Sequence, residues 1–360
     1  MKTTFREITI DEFQKFTASC PAKNYMQSAP MYERYQTIGR ESYLVGLFCD
    51  DELMVAGLVS VIYERYKKKI FTFSRGPLMN FSDNVKFFYD FLSQCYDFLR
   101  KKQGIILQIS PTLFKNQAPT DFNAQLKKIG FKYLGEYEQV KWTYAINFSK
   151  NPELPLVKPP KQRSPILSPE LSPELEQKLL RSFRRDHRYT IRYATDRYHL
   201  KIRELAPKEY DILYRLVNES GKVHGFVPRD VQFFRELKAA FKDDAAAIVV
   251  ETPEGEPIAA AFYLLYGDEI IYLSSGFTRE HKKLGAPHLI QWMMIKNAYA
   301  NGYRQYNFWG TNPDPENGVH QFKQGFHGEL QEFVGTFAAP LTPLGKLYLM
   351  KLKSKEQRDL

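Results

Sequence analysis

The chain has 360 residues, of which 43% are hydrophobic and 15% aromatic, and its 20 glycines and 21 prolines follow no period. These values exclude a wholly disordered chain and a collagen-like repeat, and the length suggests two domains. The 51 basic and 41 acidic residues give a formal charge of +10, which attracts polyanions or an anionic membrane face, although solubility alone also explains it.

The N-terminus and the cysteines indicate the cellular compartment. The segment MKTTFREITIDEF lacks the apolar core of a signal peptide, and no stretch approaches the ~20 apolar residues of a membrane span. Cys20, Cys49 and Cys95 lie far apart and lack the spacing of metal ligands. We therefore expect a cytoplasmic protein with reduced, packed thiols and no metal site.

The first half of the chain predicts one α/β domain. Short apolar runs on both sides of Asp50 and Asp51 predict a hairpin over residues 43–63. The elements predicted after it are a strand at 69–79, an amphipathic helix at 85–102, a strand at 104–110, a helix at 122–129 that ends at Gly130, and strands at 131–138 and 140–148.

Two unusual segments follow. The Pro-rich stretch 151–175 predicts an extended linker or surface strap. The run 181–199 mixes arginines with tyrosines without Pro or Gly, which predicts a helix with a basic face. Arg and Tyr together suit phosphate contact and base stacking, although a solvated helix face fits the pattern equally well. The arginines that we predict to bind RNA are Arg184, Arg185, Arg188 and Arg192.

The second half repeats the order of the first. Its predicted elements are a hairpin at 245–266, a strand at 269–277, a helix at 284–302 that Gly302 closes, a strand at 303–310, and a short helix and strand within 320–337. The sequence KKIGF at 127–131 matches FKQGF at 322–326, and RGPL at 75–78 matches GAPH at 285–288. These matches indicate an internal duplication of a whole domain.

The repeated order predicts the fold class, which is α/β (α+β) with helices packed on mixed sheets. We expect a first domain at 1–150, a linker at 151–175, a second domain at 176–337, and a tail at 338–360 that packs back on the first domain. The order is that of the GNAT acyltransferases, whose Gly-rich turn presents N–H groups to the diphosphate of coenzyme A. Here both equivalent turns contain proline, Pro77 and Pro287, which removes a donor and disfavours this cofactor.

Several segments together resemble the Fem family of peptidoglycan aminoacyltransferases, which are double-GNAT proteins. They are MQSAPMYERYQTIG at 26–39, SRGPL at 74–78, the Arg-rich helix followed by HGFVPRDVQFF at 224–234, NFWGTNPDPENGVHQFKQGFHGELQEFVGTF at 307–337, and AAPLTPLGKLY at 338–348. The resemblance implies two tandem GNAT-like domains. Because 203–229 is too short for the helical-hairpin arm of some members, the match is to the armless, FemX-like form.

The resemblance also implies an activity. The family moves an amino acid from aminoacyl-tRNA to the stem-peptide amine of a peptidoglycan precursor, either UDP-MurNAc-pentapeptide or its lipid-linked form, and so builds an interpeptide bridge. The implied partners are aminoacyl-tRNA and this precursor, with peripheral contact to the inner membrane leaflet, and no cofactor or metal is implied.

The family pattern assigns roles to five residues. Phe322 and Lys323 fall on a Phe-Lys pair near the reacting centre, and Lys323 is expected to be catalytic. Arg229 falls on the arginine that holds the precursor's diphosphate. Phe233 and Tyr272 fall where the same pocket has aromatic side chains.

The chain departs from the family pattern at three positions. Tyr35 stands where armless members have a phosphate-binding lysine, with Arg34 and Arg40 as substitutes, and we assign Tyr35 and Arg34 to substrate binding. Ser110 replaces a carboxylate once considered as a general base, and Met31 replaces a tryptophan. These departures concern the acceptor more than the fold.

An aminoacyl ester is already activated, so the enzyme mainly has to position both partners and stabilise a developing oxyanion. A fixed cation such as Lys323 serves the second need, or it binds the terminal phosphates of the tRNA. No general base is evident among the candidates, which are His224, His320, His327, Asp314, Glu316 and Glu329. We therefore expect catalysis without a dedicated protein base, in which a ribose hydroxyl or a substrate phosphate carries the proton.

Other functions remain open at this point. The aminoacyl group could go to another amine, on a natural product or a protein, or the chain could be a non-catalytic RNA-binding double-GNAT protein. A diphosphate-bearing acceptor needs Arg229, whereas a bare peptide does not. The residues do not distinguish a soluble from a lipid-linked precursor.

Overall fold

The computed structural model divides the chain into two contact units, one formed by residues 1–141 and 332–360 and the other by 142–331. These boundaries differ from the predicted 150, 175 and 337, because each unit's sheet takes a strand from the other half of the sequence. The structure describes residues 2–82, 84–136, 139–159, 166–224 and 227–356.

The first unit contains a seven-stranded mixed sheet. Its strands are β1 (Thr3–Glu7), β2 (Ser42–Cys49), β3 (Glu52–Arg65), β4 (Lys68–Arg75), β5 (Gly104–Pro111), β6 (Lys132–Gly135) and β14 (Thr336–Pro340). Their order is β1-β2-β3-β4-β5-β14-β6, and only β4 and β5 run parallel. The helices are α1 (Ile10–Ser19), α2 (Ala29–Thr37), α3 (Lys86–Lys101), α4 (Phe122–Lys128) and α11 (Pro343–Glu356).

The core of the first unit forms where α3 packs on the sheet. Apolar residues recur at spacings of three and four along α3, and those that the fold buries are Phe87, Phe88, Phe91, Leu92, Cys95 and Leu99. The helix predicted at 85–102 is therefore confirmed. All three cysteines are buried and free, as predicted.

The second unit contains a second seven-stranded sheet. Its strands are β7 (Trp142–Asn147), β8 (Lys201–Leu205), β9 (Ala245–Glu251), β10 (Pro257–Tyr266), β11 (Glu269–Phe277), β12 (Gln305–Gly310) and β13 (Glu329–Glu332). Their order is β8-β9-β10-β11-β12-β7-β13 when read from one edge, with β11 and β12 parallel. The helices are α5 (Pro173–Arg181), α6 (Arg185–Arg192), α7 (Tyr210–His224), α8 (Val231–Phe241), α9 (Ala286–Ala300) and α10 (Gly318–Gln324).

The two sheets have the same strand order, which confirms the predicted tandem GNAT-like fold. The sixth strand of each sheet comes from the other half of the sequence, since β14 pairs with β5 and β7 pairs with β12. The two segments 127–131 and 322–326, whose sequences match, occupy equivalent positions in the two units, because α4 follows β5 and α10 follows the equivalent strand β12. The match of 75–78 with 285–288 is not, because the first directly follows β4 whereas the second opens α9.

The described residues on both sides of positions 160–165 in the Pro-rich segment contact α9. The Tyr299 hydroxyl donates to the Pro155 carbonyl at 2.7 Å, and Asn297 donates to the Ile166 carbonyl at 3.1 Å. Helix α5 begins inside the predicted linker, where the Ser172 side chain caps it and proline occupies its first position. Pro155 and Ile166 of this segment are therefore both bonded to α9.

The Arg-rich run forms two helices instead of the single one predicted at 181–199. Helix α5 ends at Arg181, and α6 starts at Arg185 and continues into a π-helical turn, Tyr193–Arg197. Phe183 lies in this break and is buried against the rings of Trp292 and Phe326. Within the described residues, α7 and α8 are 15 and 11 residues long and form no extended arm, and no helix is both long and apolar enough to cross a bilayer.

Candidate functional site

The sheet of the second unit opens between its two parallel strands. Strands β11 and β12 pair only from Glu269–Gln305 to Ile271–Asn307 and then separate. The equivalent strands of the first unit, β4 and β5, stay paired up to Arg75–Pro111. Because ligands of open α/β sheets bind outside the carboxyl ends of parallel strands, the wedge in the second unit is the better candidate site.

Lys323 lies in this wedge. The Asn317 side chain accepts bonds from the first turn of α10, and Lys323 follows in the last turn, only 5% exposed. Its ammonium donates to the carbonyls of Phe308 at 2.8 Å and Gly310 at 2.5 Å, beyond the point where β12 has lost its pairing with β11. Lys323 therefore satisfies carbonyl groups that the opening of the sheet exposes.

The third proton of the ammonium is less firmly held. The carbonyl of Trp309 lies 3.5 Å from Nζ, at the limit of a hydrogen bond. A substrate oxygen entering the wedge can replace this contact without breaking the two shorter ones. The amino group of Lys323 can therefore donate to an oxyanion that develops in the wedge.

Burial lowers the pKa of Lys323 to about 7. An unfolded lysine has a pKa near 10.4, so the unfolded state binds more protons than the folded state between pH 7 and pH 10. The stability contributed by this group should therefore rise with pH across that window, by up to about 2 kcal/mol between pH 7 and pH 9. Denaturant unfolding of the wild type and Lys323→Met at both values measures this, and an identical pH dependence in the two proteins would contradict a buried, shifted lysine.

His187 holds the segment that carries Lys323. Its Nε2 donates to the carbonyl of Phe322 at 2.9 Å, and its ring lies 4.7 Å from that of Phe326. His288 of α9 packs edge-on against Phe322 at 4.9 Å and against His187 at 4.6 Å. Burial, and then the nearby His187, lower the pKa of His288 to about 3, so this ring is neutral at physiological pH.

Tyr272 lies on β11 just where the strand leaves β12. Its ring packs 5.5 Å from that of Tyr263, and burial raises the pKa of its hydroxyl to about 12. Behind it, the Tyr306 hydroxyl donates to the Gln291 side chain at 2.6 Å. The wedge is thus backed by protonated phenols, which act as hydrogen-bond donors at neutral pH.

Arg229 and Phe233 are neighbours, as the family pattern implies. Arg229 is exposed just before α8, and its guanidinium carbon lies 5.4 Å from the centre of the Phe233 ring. Asp230 caps the helix by accepting from the Phe233 amide at 2.8 Å, which fixes this geometry. Among the described residues no carboxylate pairs with Arg229, so its exposed guanidinium can bind an anion.

Tyr35 and Arg34 are buried in α2 of the first unit, where they are 4% and 8% exposed. The guanidinium of Arg40 covers the Tyr35 ring at 4.5 Å, while its Nε donates to the Val61 carbonyl at 2.8 Å. A ligand at this surface would touch Arg40 first. The sequence interpretation placed Tyr35 and Arg34 in direct contact with substrate, and neither offers much surface for it.

The four arginines predicted to bind RNA separate into two kinds. Arg184 pairs with Asp186 through two 2.7 Å bonds, and Arg188 donates to the carbonyls of Arg181 and Phe183, so both stabilise the turn between α5 and α6. Arg185 and Arg192 are exposed on the outer side of α6.

Helix α6 covers the turn that binds coenzyme A in GNAT enzymes. A Cβ added to Gly285, at the start of α9, would lie 2.7 Å from the Thr190 methyl carbon of α6. Pro287 follows in the first turn of α9 and has no N–H group. Thr190 therefore lies close beside Gly285, and Pro287 removes one of the N–H donors of this turn.

The candidate bases lie in varied surroundings. His320 is buried on α10 and packs on Tyr144 at 5.8 Å, and His327 shares a 2.6 Å bond with the Ser182 carbonyl. Glu329 pairs with Lys150, Asp314 accepts from the Glu316 amide, and the side chain of His224 falls outside the described residues.

Sequence reasoning missed His187 and His288, whose only local sign is the pair Asp186-His187. In the described ranges no three His, Cys, Asp or Glu side chains could hold a metal ion together.

The sequence profile of the FemAB family matches residues 8–164 and 251–352, which is more than half of the chain. The chain belongs to the FemAB family. It is 24% identical over 422 residues to aminoacyltransferase FemA of Staphylococcus epidermidis, an alignment that covers 97% of this chain and 99% of the relative.

Solved structures share the fold of this FemAB protein. The crystal structure of FemX superposes with a TM-score of 0.76 at 19% identity, covering 96% of this chain and 99% of FemX. A tandem GNAT protein from the clavulanic acid biosynthesis pathway gives a TM-score of 0.53 at 9% identity, covering 95% of this chain and 99% of that protein. Both likenesses extend over the two units.

Proposed function

We propose that this FemAB protein transfers an amino acid from aminoacyl-tRNA to the stem-peptide amine of a peptidoglycan precursor. As a FemAB protein with two GNAT-type sheets, the chain is an aminoacyltransferase. The observation that carries the proposal is the buried ammonium of Lys323 in the open wedge between β11 and β12. The ester donor needs no further activation, so positioning and charge stabilisation suffice.

The transfer proceeds by attack of the acceptor amine on the ester carbonyl carbon. A C–N bond forms, the carbonyl oxygen gains negative charge, and the C–O bond to the terminal ribose breaks. Lys323 donates to the oxyanion in place of its long contact with Trp309, and Phe322 lines the same region. The amine proton passes to the departing ribose oxygen, so no protein base is required.

The acceptor is proposed to bind through its diphosphate. Arg229 presents an exposed planar guanidinium, which suits bidentate contact with phosphate oxygens, and Phe233 supports it. Tyr272, on β11 of the same unit, donates from the wedge. The net charge of +10 suits both the RNA donor and an anionic inner leaflet on the cytoplasmic side.

The assay for the proposal combines the protein with a panel of aminoacyl-tRNAs and UDP-MurNAc-pentapeptide. We expect the precursor's mass to rise by one aminoacyl group with one member of the panel, together with loss of the ester. A protein that binds charged tRNA but leaves every ester intact, with either the soluble or the lipid-linked precursor, would instead be an RNA-binding protein.

Arg229→Ala should raise the KM for UDP-MurNAc-pentapeptide about 10- to 100-fold, because hydrogen bonds to charged groups contribute about 1.5–3 kcal/mol. The kcat should change little, and Arg229→Lys should recover part of the loss. Steady-state kinetics measure both constants, with the exposed Arg279→Ala as the control. An equal loss with a stem peptide that lacks the diphosphate would mean that Arg229 does not act by binding the diphosphate.

A further inference from the structure

The outer side of α6 and of the π-helical turn carries a row of alternating cations and aromatic rings. Arg185, Tyr189, Tyr193 and Arg197 are spaced by four residues, so they follow one another along one side of the helix. Tyr189 is 51% exposed and Tyr193 is 42% exposed. Large aromatic side chains with this much exposure are typical of interaction surfaces rather than of a solvated helix face.

The members of this row contact one another in sequence. The guanidinium carbon of Arg185 lies 5.8 Å from the Tyr189 ring, and the Tyr189 and Tyr193 rings are 6.1 Å apart with planes only 25° from parallel. Arg197 lies 5.5 Å from the Tyr193 ring and 5.8 Å from that of Tyr198. We call Arg185, Tyr189, Tyr193 and Arg197 the Arg–Tyr row.

The charges of the row are not used inside the fold. Arg184 and Arg188, on either side, bind a carboxylate and backbone carbonyls. Over the described part of the chain, no carboxylate forms an ion pair with Arg185, Arg192 or Arg197. The surface therefore keeps three available positive charges beside two exposed rings, which complements a phosphate backbone with unpaired bases.

The inner side of the same helix contacts the candidate site. His187, Ile191 and Ala194 are buried, and His187 bonds the Phe322 carbonyl of α10 at 2.9 Å. One helix, about 10 Å in diameter, thus separates the Arg–Tyr row from the element that carries Lys323. A strand bound on the outer side of α6 has only a short distance to cover to reach the wedge.

We propose that the Arg–Tyr row binds the unpaired 3′ end of the RNA donor, with bases stacked on Tyr189 and Tyr193 and phosphates held by Arg185 and Arg197 of the row and by the exposed Arg192 of the same helix. This inference rests on the proposed function, since it takes the donor to be RNA. Single-stranded RNA fits because its base faces are open to stacking, whereas the faces of paired bases are not. A lipid surface fits less well, because the row lacks aliphatic side chains.

The test measures fluorescence anisotropy of a labelled 12-nucleotide single-stranded RNA that ends in CCA. Tyr189→Ala/Tyr193→Ala should weaken binding at least 10-fold, since base stacking on each ring contributes about 1–3 kcal/mol, and the salt dependence should not change. Replacing Arg185, Arg192 and Arg197 by Gln should reduce the slope of log affinity against log salt by about 2, since each single-strand phosphate contributes about 0.7.

Two controls keep the test specific. Tyr189→Phe/Tyr193→Phe keeps both rings and should bind as the wild type does, which assigns a loss in the double Ala variant to the rings, and circular dichroism of that variant checks that it is folded. Tyr66→Ala removes another exposed tyrosine with an arginine beside it, Arg65 at 5.1 Å in the first unit, and should bind normally. Equal loss in Tyr66→Ala and in the double Ala variant would overturn the proposal, because binding would then be a general surface effect.

The transfer assay separates failure of this inference from failure of the proposed function. We expect the double Ala variant to raise the KM for charged tRNA about 10-fold or more, with kcat retained. An unchanged KM in an active enzyme overturns the role of the row and leaves the transferase standing. A third outcome is that the wild type binds RNA but transfers nothing from any charged tRNA, and that the double Ala variant loses this binding. That outcome supports the Arg–Tyr row and contradicts the proposed function.

Discussion

Replacement of Lys323 by methionine is expected to slow aminoacyl transfer about 100-fold or more while the protein stays folded. Removal of a single preorganised donor from an oxyanion site typically costs about 100- to 1,000-fold in rate. Methionine has nearly the length of the lysine chain and fills the same buried space, so the loss reports the missing donor rather than a cavity. Single-turnover kinetics with saturating charged tRNA and precursor measure the step directly.

The control for this variant is Lys282→Met, which removes an exposed lysine of the same unit. It should keep the wild-type rate. If Lys323→Met also keeps its full rate, Lys323 serves only to satisfy the carbonyls of Phe308 and Gly310, and the prediction that it is catalytic is wrong. A loss confined to the KM for tRNA would assign the ammonium to phosphate binding instead.

Gly325→Ala is expected to destabilise the protein by about 2 kcal/mol, as overpacking of a filled core does, and to slow transfer about 10-fold or more. An added Cβ would lie 2.1 Å from the His187 ring, so the imidazole has to move. That movement breaks its 2.9 Å bond to the Phe322 carbonyl and releases the turn that positions Lys323. Chemical denaturation and single-turnover kinetics measure the two effects.

Helix α10 supplies its own control. Gly318, at its first position, has nothing within 4 Å of an added Cβ, so Gly318→Ala should change stability by less than about 1 kcal/mol. The double variant Gly325→Ala/His187→Ala removes the clash and should be more stable than Gly325→Ala alone. Equal stability of Gly325→Ala and Gly318→Ala would show that His187 does not brace this turn.

The duplicated sheet could be predicted from the sequence because its signals are local. The acidic turn at Asp50-Asp51 and the Glu/Pro/Gly turn before Pro257 both separate short apolar runs, and each half then continues with strand, helix and strand. The exchange of β7 and β14 could not be predicted. Strand pairing between residues far apart in sequence depends on tertiary context, which local patterns do not report.

The edge strands β1 and β8 were also missed, because they are short and half exposed, and alternate too weakly to stand out. Helix α6 was predicted as part of a longer basic helix. Its π-helical turn and the burial of His187 depend on packing against α9 and α10. For this reason the sequence pattern indicated the arginines of the run and did not identify His187, which bonds the segment that carries Lys323.

The position of Lys323 illustrates what the sequence can and cannot supply. The family resemblance selected the residue, but Lys323 at the end of a short helix is also typical of an exposed side chain. Only the early separation of β11 from β12 explains why it is buried and where its ammonium points. Arg229 and Phe233, by contrast, lie four residues apart where α8 begins, and the Asp230 cap of that helix brings them together.

The most direct test of the transfer site is photocrosslinking with an aminoacyl-tRNA whose amino acid carries a diazirine. The protein is irradiated with this donor bound, digested, and the labelled peptides are identified by mass spectrometry. We expect label on peptides of β11, β12 or α10, around Tyr272 and Lys323. Label confined to β4 and β5 of the first unit would contradict a transfer site in the wedge of the second.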